Sequence, residues 1–185
     1  MEESRAIIQI IAGCRINHRK AQEQLYRRFY ESMMTLCLRY TRNEEDAKEI
    51  LQDGFLKIFM NIGKYDPGRS GLYTWMRTVT IHTAIDFIRR KEKFQPVVQL
   101  ESVQEPEIPN DVIEKMEAKS LLAWIQCLPP ATQVVFNLFV IDGYSHKEIA
   151  ALLSVSEGTS KWHLSEARKR LKKNLPVKQT AYERK

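Results

Sequence analysis

Between Ser145 and Lys173 the sequence carries two helical patterns separated by a short turn, and the second pattern is rich in cationic side chains. One stripe of the second helix holds small and apolar residues, namely Ser160, Leu164, Ala167 and Leu171. The other faces hold Lys161, Trp162, Ser165, Lys169 and Lys172, with Arg168 at the edge. Such side chains can neutralise phosphates while the helix enters the major groove of DNA. The arrangement favours a DNA-binding helix-turn-helix over a solvated surface helix, which stays the alternative.

The turn between the two helical patterns has its own capping chemistry. Ser145 precedes the first helix and Glu148 follows three residues later, which is the spacing of a capping box. Ser154-Val155-Ser156 supplies the turn, and Ser156 is placed to cap the second helix. We expect the first helix to bury an apolar face made of Ile149, Ala150, Leu152 and Leu153.

Residues that could bind a metal ion or act as nucleophiles are scattered along the chain. The histidines are His18, His82, His146 and His163, and the cysteines are Cys14, Cys37 and Cys127. Only Cys14 and His18 have ligand-like spacing, and one pair is too few for a zinc site. The cysteines form no CxxC pair and lie in apolar helical patterns, which favours reduced core thiols in a cytoplasmic protein. The sequence therefore predicts no metal, no cofactor, no small-molecule substrate and no independent enzymatic activity.

Composition and charge agree with a protein that meets anionic partners. The 185 residues are 43% hydrophobic and 28% charged, which is typical of a soluble globular chain long enough to bury a core. The formal net charge is +6, which favours nucleic acid or a membrane surface as a partner. The N-terminus opens with acidic residues, and no apolar run reaches about 18 residues, so we expect no signal peptide and no membrane insertion.

Apolar periodicity predicts an all-α fold, because no stretch shows the sustained alternation of a strand. Three predicted helices bury Ile7, Ile8, Ile11 and Cys14; Leu25, Phe29, Met33, Leu36 and Tyr40; and Ile50, Leu51, Phe55, Ile58 and Phe59. Thr41 and Asn43 are cap formers before the third helix, and Pro67, Gly68 and Gly71 break the chain after it. A fourth helix is predicted from about Tyr73 to Arg90, with Trp75, Val79, Ala84 or Ile85, and Ile88 facing inward.

A shift in composition marks a boundary between two small helical domains. From Gln95 to Glu114 the chain has no Lys or Arg, but it has three prolines and the acids Glu101, Glu105, Glu107, Asp111 and Glu114. We predict a domain over 1–94, an acidic linker over 95–115, a helix-turn-helix domain over 116–176 and a polar tail over 177–185. Two further helices are predicted in the second domain from their apolar residues. The first has Leu121, Leu122, Trp124, Ile125 and Leu128, and the second has Val134, Val135, Leu138, Phe139 and Ile141.

Three motifs, taken in order, resemble those of bacterial RNA polymerase sigma factors of the extracytoplasmic-function (ECF) group. "EEDAKEILQDGFLKIF" is similar to the part of region 2 that grips the β′ clamp helices of the polymerase. "YTWMRTVTIHTAIDFIRRK" is similar to the segment that captures and melts the −10 element. The stretch from "LPPATQ" to "EARKRL" resembles region 4, which binds the −35 element. The similarity covers roughly residues 20–93 and 118–173, and it implies a transcription initiation factor.

The resemblance assigns roles to individual residues. It implies polymerase contacts at Glu49, Leu51, Gln52, Asp53 and Leu56. It implies −10 contacts at Tyr73, Trp75, Arg77, His82, Arg89, Arg90 and Lys91, where rings can stack on unpaired bases and cations can neutralise phosphates. It implies −35 contacts at Ser156, Thr159, Lys161, Trp162, His163, Ser165, Arg168, Lys169 and Lys172. His82 stands where the family often has Asn, and the loop Asp66–Leu72 stands where the family builds a pocket for a flipped base.

The resemblance also implies further partners. These are the polymerase β flap, promoter DNA and an anti-sigma factor, with the acidic linker imitating phosphates inside a polymerase channel. A stand-alone helix-turn-helix regulator is the competing hypothesis. It accounts for residues 118–173 but gives the −10-like segment and the acidic linker no role.

Overall fold

The computed structural model describes residues 2–91 and 118–174, and the chain divides into two compact units, Met1–Gln95 and Pro96–Lys185. The described residues form eight α-helices and no strand, which confirms the all-α prediction with two helical domains. The predicted linker, with Glu101, Glu105, Glu107 and Asp111, and the predicted tail lie outside the described residues.

The N-terminal unit is built from four helices and one 3-10 turn. They are α1 (Glu2–Arg15), α2 (Arg19–Tyr40), α3 (Glu44–Asn61), the 3-10 turn Ile62–Lys64 and α4 (Leu72–Lys91). Helices α2, α3 and α4 pack against one another, and α1 packs along α2. Most residues predicted to face inward are buried, but Ile8 of α1 is 63% exposed, while Phe29, Phe59, Trp75 and Val79 are half-buried.

The start of α3 follows the predicted capping chemistry. The side chain of Asn43 accepts a hydrogen bond of 2.8 Å from the backbone N–H of Asp46, and the first turn holds three acidic residues. Carboxylates at this position are stabilised by the positive end of the helix dipole. The helix ends before the loop that contains Pro67, Gly68 and Gly71, as the sequence predicts.

Two helical glycines have opposite surroundings. A Cβ atom added at Gly54 in α3 would lie 3.5 Å from Oγ1 and 3.7 Å from Cγ2 of Thr80 in α4, which is ordinary van der Waals contact. A Cβ atom added at Gly13 in α1 would lie 2.5 Å from the Cβ of Ala21 in α2, which is too short. The α1–α2 packing therefore requires glycine at position 13, whereas the α3–α4 packing has room for a methyl group at position 54.

The C-terminal unit contains four helices. They are α5 (Ala118–Gln126), α6 (Pro130–Phe136), which continues into a π-helical turn at Asn137–Ile141, α7 (His146–Leu153) and α8 (Glu157–Asn174). Helix α8 packs against the other three and buries the predicted stripe of Ser160, Leu164, Ala167 and Leu171. On α7, Ile149 and Leu153 are buried, whereas Ala150 and Leu152 are half-buried.

His163 belongs to this core, so its prediction as a DNA contact is wrong. Only 5% of the residue is exposed, and its Nδ1 lies 3.1 Å from the hydroxyl of Thr132 in α6. Burial lowers the pKa of His163 from its ordinary 6.5 to about 4, against a smaller opposing effect of Glu166. The imidazole is therefore neutral at physiological pH and joins α6 to α8.

The glycine geometry leads to a paired stability prediction. Gly54→Ala should raise the free energy of unfolding by about 1 kcal/mol, because alanine is the better helix former and its methyl group has room. Gly13→Ala should lower it, because the new Cβ overlaps Ala21. Urea unfolding followed by circular dichroism measures both. Destabilisation by Gly54→Ala would mean that α3 and α4 approach more closely than described.

The burial of His163 leads to a pH prediction. In the unfolded chain, His163 becomes protonated below about pH 6.5. In the folded protein, it becomes protonated only near pH 4, because its pKa is lowered to about 4. Stability should therefore fall as the pH falls through this window, by up to about 1.4 kcal/mol for each pH unit. Urea unfolding at several pH values should show this slope in the wild type and a flatter one in His163→Gln. Equal slopes in both proteins would contradict a neutral buried His163.

Candidate protein and nucleic-acid interfaces

One side of α3 carries a stripe of exposed residues opposite its buried face. Glu49, Gln52 and Leu56 are spaced three and four residues apart, so they lie on one face of the helix. Leu56 is 59% exposed, although its apolar neighbours Phe55 and Ile58 in the same helix are buried. Leu51, in contrast, is 2% exposed and belongs to the core. The prediction of Leu51 as a direct polymerase contact is therefore wrong, since no partner can reach its side chain.

Met60 extends this stripe by one more turn, and the sequence analysis missed it. It lies four residues after Leu56 and is 75% exposed. The i, i+4 spacing could have indicated it, but a methionine in an apolar pattern is most simply interpreted as core. Two exposed apolar side chains beside Glu49 and Gln52 make a surface of mixed polarity, which suits contact with another helix. We call Glu49, Gln52, Leu56 and Met60 the α3 stripe.

Ion pairs connect α3 with the end of α4. A carboxylate oxygen of Asp53 lies 3.5 Å from a guanidinium nitrogen of Arg90. A carboxylate oxygen of Asp46 lies 2.5 Å from the ammonium nitrogen of Lys91. In the third pair, the ammonium nitrogen of Lys57 lies 3.4 Å from a carboxylate oxygen of Asp86. The cations of these pairs are well exposed, so each pair contributes little to stability. The structure thus brings two predicted DNA-binding cations, Arg90 and Lys91, next to carboxylates of the helix predicted to bind the polymerase. Lys91 also lies 5.6 Å from the ring centre of Phe87.

The predicted −10 residues divide between two faces of α4. Trp75, His82 and Arg89 are spaced by seven residues, or about two turns, and form one stripe, which we call the α4 stripe. Tyr73 and Arg77 lie on another side, where the Tyr73 ring stacks on Phe29 of α2 at 6.4 Å. His82 is exposed, and Trp75, Arg77 and Arg89 are half-buried. The structure therefore brings three of the seven predicted contacts into one line.

The loop before α4 is held together by hydrogen bonds between its own residues. The hydroxyl of Tyr65 donates a hydrogen bond of 3.1 Å to the carbonyl of Ser70, and the backbone N–H of Gly68 donates to the carboxylate of Asp66 at 2.9 Å. The Tyr65 ring lies 5.5 Å from the ring of Trp75. These contacts place the loop, residues 65–71, beside the first residue of the α4 stripe.

The helix-turn-helix has the capping geometry predicted from the sequence. Ser145 and Glu148 form a complete capping box, and the hydrogen bonds from Ser145 lower the pKa of the Glu148 carboxyl. Ser154 ends α7 in the left-handed conformation at φ 57°, and the N–H of Val155 donates to the carbonyl of Ala150. The hydroxyl of Ser156 accepts a hydrogen bond of 3.0 Å from the N–H of Thr159 and so caps α8.

A histidine fixes the first helix of this motif to the second. Nδ1 of His146 lies 2.8 Å from the hydroxyl of the buried Ser160, and the His146 ring stacks on Phe139 at 4.4 Å. His146 thus joins the start of α7 to α8 and to the π-helical turn. The small Ser160 allows this contact, and the sequence analysis had counted it only as part of the buried stripe.

Helix α8 presents cations on two faces. Lys161, Arg168 and Lys172 have the spacing of one face, and Lys161 and Lys172 are exposed. Ser165 falls on the same face but is only 3% exposed, so its prediction as a DNA contact is wrong: its short hydroxyl does not reach the surface. Ser156 and Thr159 lie at the helix start with their hydroxyls 2.9 Å apart. Six Lys and Arg against two Glu make α8 strongly cationic.

The second cationic face of α8 borders a groove. Trp162, Lys169 and Lys173 share this face by their spacing, and Trp162 is half-buried beside His163. The groove has a volume of about 410 Å³, and its lining is Trp124, Cys127, Leu128, Glu166, Lys169, Arg170 and Lys173. Lys169 therefore borders the groove, and it also lies within one turn of Lys172, which follows it by three residues.

The described residues hold neither a metal-binding cluster nor a helix suited to a membrane. Residues 2–91 and 118–174 contain no group of three or more His, Cys, Asp or Glu side chains placed to hold a metal ion. Among the helices of this part of the chain, none has the length and apolar character needed to cross a membrane.

Comparison with known families matches both units. The family model for Sigma-70 region 2 matches residues 25–94, and the model for Sigma-70, region 4 matches residues 118–171. The first match contains the α3 stripe, the α4 stripe and the loop 65–71. The second contains the helix-turn-helix. Helix α1 precedes the first match.

Individual relatives agree with these matches over most of the chain. RNA polymerase sigma factor YlaC of Bacillus subtilis is 29% identical over 165 residues, which are 86% of this chain and 95% of that protein. ECF RNA polymerase sigma factor SigM of Mycobacterium tuberculosis is 28% identical over 92% of this chain and 85% of its own. The sigma factor RpoE from Bartonella quintana, solved with the anti-sigma factor NepR, shares the fold, with a TM-score of 0.51, 18% identity and coverage of 85% and 98%. With both sigma regions matched in order, the chain belongs to the ECF group of bacterial RNA polymerase sigma factors, transcription initiation factors that bind RNA polymerase and recognise promoters.

Proposed function

We propose that the α3 stripe is the surface by which this sigma factor binds the β′ clamp helices of core RNA polymerase. The carrying observation is that Leu56 and Met60 are 59% and 75% exposed on a helix whose opposite face is core. Exposed apolar side chains flanked by Glu49 and Gln52 supply the anchors and polar rim of a helix–helix contact. Asp53 stands beside the stripe, paired with Arg90.

We further propose that α4 binds the −10 element as single-stranded DNA. Trp75 and Tyr73 offer rings for stacking on unpaired bases, and Arg77, Arg89, Arg90 and Lys91 offer charge for the phosphates. His82 is exposed in the centre of the α4 stripe, where its ring can donate a hydrogen bond to a base or stack on it. Base contacts then come from the α4 stripe, and the cations at the end of α4 hold the backbone.

For the −35 element, we propose that α8 enters the major groove. Lys161 and Trp162 lie in its first half, which reaches base edges in a docked recognition helix. Arg168 and Lys172 lie further along the same helix as Lys161 and reach phosphates, whereas Lys169 borders the groove beside α5. Ser156 and Thr159 offer hydroxyls at the helix start.

The proposed domain boundaries are 1–94 for the polymerase-binding and −10-binding domain, 95–115 for the linker, 116–176 for the −35-binding domain and 177–185 for the tail. The division into two units after Gln95 and the family matches at 25–94 and 118–171 support them. The acids of the linker, at 101, 105, 107 and 111, would imitate phosphates in a basic polymerase channel.

The remaining partners follow from the family. We propose that the −35-binding domain contacts the β flap of the polymerase, that an anti-sigma factor regulates the protein, and that it acts in the cytoplasm, where transcription takes place. The solved complex of the Bartonella quintana sigma factor with an anti-sigma factor supports the second point. Catalysis of RNA synthesis would belong to the core polymerase, so we propose no independent enzymatic activity for this chain.

The first test concerns the α3 stripe. Gln52→Lys and Leu56→Lys should each weaken binding to core polymerase about tenfold or more, because they place a charge in a desolvated contact. Gln24→Lys, an exposed change of the same kind on α2, is the matched control. Fluorescence titration of labelled protein with core polymerase gives the affinities, and circular dichroism checks helicity. A charge reversal at Asp53 is less informative, since it also breaks the pair with Arg90.

Two outcomes would count against this assignment. If both α3 variants bind core polymerase as tightly as the Gln24→Lys control, the polymerase contacts this domain elsewhere. If the wild-type protein binds promoter duplex specifically without core polymerase, the stand-alone regulator is the better description.

The second test separates base contacts from phosphate contacts on α8. Lys161→Ala should cost about 1–3 kcal/mol mainly on the preferred −35 sequence and relax preference at one base pair. Lys172→Ala should weaken binding to all sequences alike and reduce the salt dependence by about one phosphate. Lys20→Ala, in the other unit, serves as the control. Holoenzyme binding to −35 variants at several salt concentrations is the measurement. Unchanged sequence preference in both Lys161→Ala and Trp162→Ala would mean that α8 does not read bases.

A further inference from the structure

We propose that Arg15, at the end of α1, is a positioning residue that holds the loop 65–71 against α4 and so sharpens base preference at the −10 element. The inference deepens the proposed function and rests on it, because the loop matters only if Trp75 and its neighbours contact promoter DNA. Helix α1 precedes the Sigma-70 region 2 match, which begins at residue 25. In the sequence, α1 shows only an apolar pattern for packing.

Helix α1 reaches the loop through its C-terminal end. It packs along α2 and also against the 3-10 turn Ile62–Lys64, which leads directly into the loop. Arg15 is the last residue of α1. Its Nη2 donates a hydrogen bond of 2.8 Å to the backbone carbonyl of Tyr65. A guanidinium donor makes this a charge-assisted bond to the first residue of the loop.

The corner between α1 and α2 has a tightly constrained backbone, from which the exposed Arg15 side chain extends. Gly13 is so close to Ala21 that an added Cβ atom would lie 2.5 Å from the Ala21 Cβ. Asn17 adopts the left-handed conformation at φ 56°, and the N–H of His18 donates to the carbonyl of Gly13 at 2.9 Å. Because these contacts fix the backbone on both sides of Arg15, the Cα from which its side chain extends to Tyr65 has a defined position.

Tyr65 passes this constraint on to the proposed DNA-binding residues. It is only 6% exposed, its hydroxyl donates to the carbonyl of Ser70 at the other end of the loop, and its ring packs on Trp75. Arg15 therefore holds Tyr65, and Tyr65 holds both the far end of the loop and the first residue of the α4 stripe. Loss of the Arg15 bond should let the loop shift relative to Trp75.

The competing explanation is that Arg15 itself contacts a DNA phosphate. The two roles have different signatures. A phosphate contact adds affinity for every sequence and steepens the salt dependence by about one phosphate. A positioning role changes the preference among −10 sequences and leaves the salt dependence unchanged.

The experiment uses reconstituted holoenzyme and single-stranded non-template oligonucleotides. A −10 sequence is first selected from a randomised pool by the wild-type holoenzyme, and each base is then substituted in turn. The variants are Arg15→Met, which removes the donors, Arg15→Lys, whose ammonium group can still reach a carbonyl, and Arg5→Met, an exposed arginine of the same helix. Competition binding at several salt concentrations gives relative affinities, and core polymerase affinity and the melting temperature are measured in parallel.

We expect Arg15→Met to reduce discrimination between the selected and the substituted −10 sequences about fivefold, the size expected for one hydrogen bond. Core affinity and salt dependence should not change, Arg15→Lys should recover most of the discrimination, and Arg5→Met should resemble the wild type. Tyr65→Phe, which removes the hydroxyl that bonds to Ser70, should weaken discrimination in the same way. Tyr65→Phe tests only this second link, because phenylalanine keeps the backbone carbonyl that Arg15 binds. If Arg15→Met does not fold, Arg15→Gln, whose shorter amide side chain lacks the positive charge, takes its place.

Three results would overturn the inference in distinguishable ways. If the wild type discriminates among −10 sequences and Arg15→Met does so equally well, the positioning role of Arg15 is wrong while the proposed function stands. If Arg15→Met weakens binding to all sequences and flattens the salt dependence, Arg15 is a phosphate contact. If the wild-type holoenzyme selects no −10 sequence at all, the proposed function itself fails, and the inference fails with it.

Discussion

The N-terminal unit depends on the packing of α3 against α4 at Gly54 and Thr80. This contact sets the two helices side by side, so that one helix presents the α3 stripe while the other presents the α4 stripe. Thr80 is buried, and its hydroxyl donates to the carbonyl of Met76 with the Met33 sulfur 3.5 Å away, so the contact has no unpaired polar group. A shift of either helix would move one proposed interface relative to the other.

In the C-terminal unit, the short helix α7 has to be held firmly against the long cationic helix α8. Hydrophobic packing of α7 uses few residues, since only Ile149 and Leu153 are fully buried. Polar contacts supplement it: the capping box starts the helix, and His146 bonds to Ser160 on α8. His163 adds a bond from α8 to Thr132 on α6. These contacts fix α8 through Ser160 and His163, whose side chains are buried, while the neighbouring Lys161 is exposed.

Periodicity and capping signals predicted the all-α fold, the helix order and the turn chemistry, because these depend on neighbours within one or two turns. Burial of individual side chains depends on which helix packs opposite, and the errors arise there. Leu51, His163 and Ser165 were assigned to interfaces, yet each is covered by a neighbouring element or lies below its surface. Met60 is the reverse case: its spacing from Leu56 places it on the exposed face, but a methionine in an apolar pattern is most simply interpreted as core. The bond from Arg15 to Tyr65 joins residues 50 positions apart, and no local pattern indicates it.

The ion pairs between α3 and α4 link the two activities proposed for this unit. Arg90 and Asp53 are 3.5 Å apart with both side chains substantially exposed, so separating them costs at most about 1 kcal/mol. The pair can therefore orient the guanidinium without competing strongly with a phosphate, which carries more charge and stronger acceptors than one carboxylate. If Arg90 binds DNA as proposed, Asp53 loses this partner beside the α3 stripe, where a cationic group of the polymerase would be a favourable neighbour. The two proposed contacts would then favour each other, and DNA binding would be stronger on the polymerase than on the free protein.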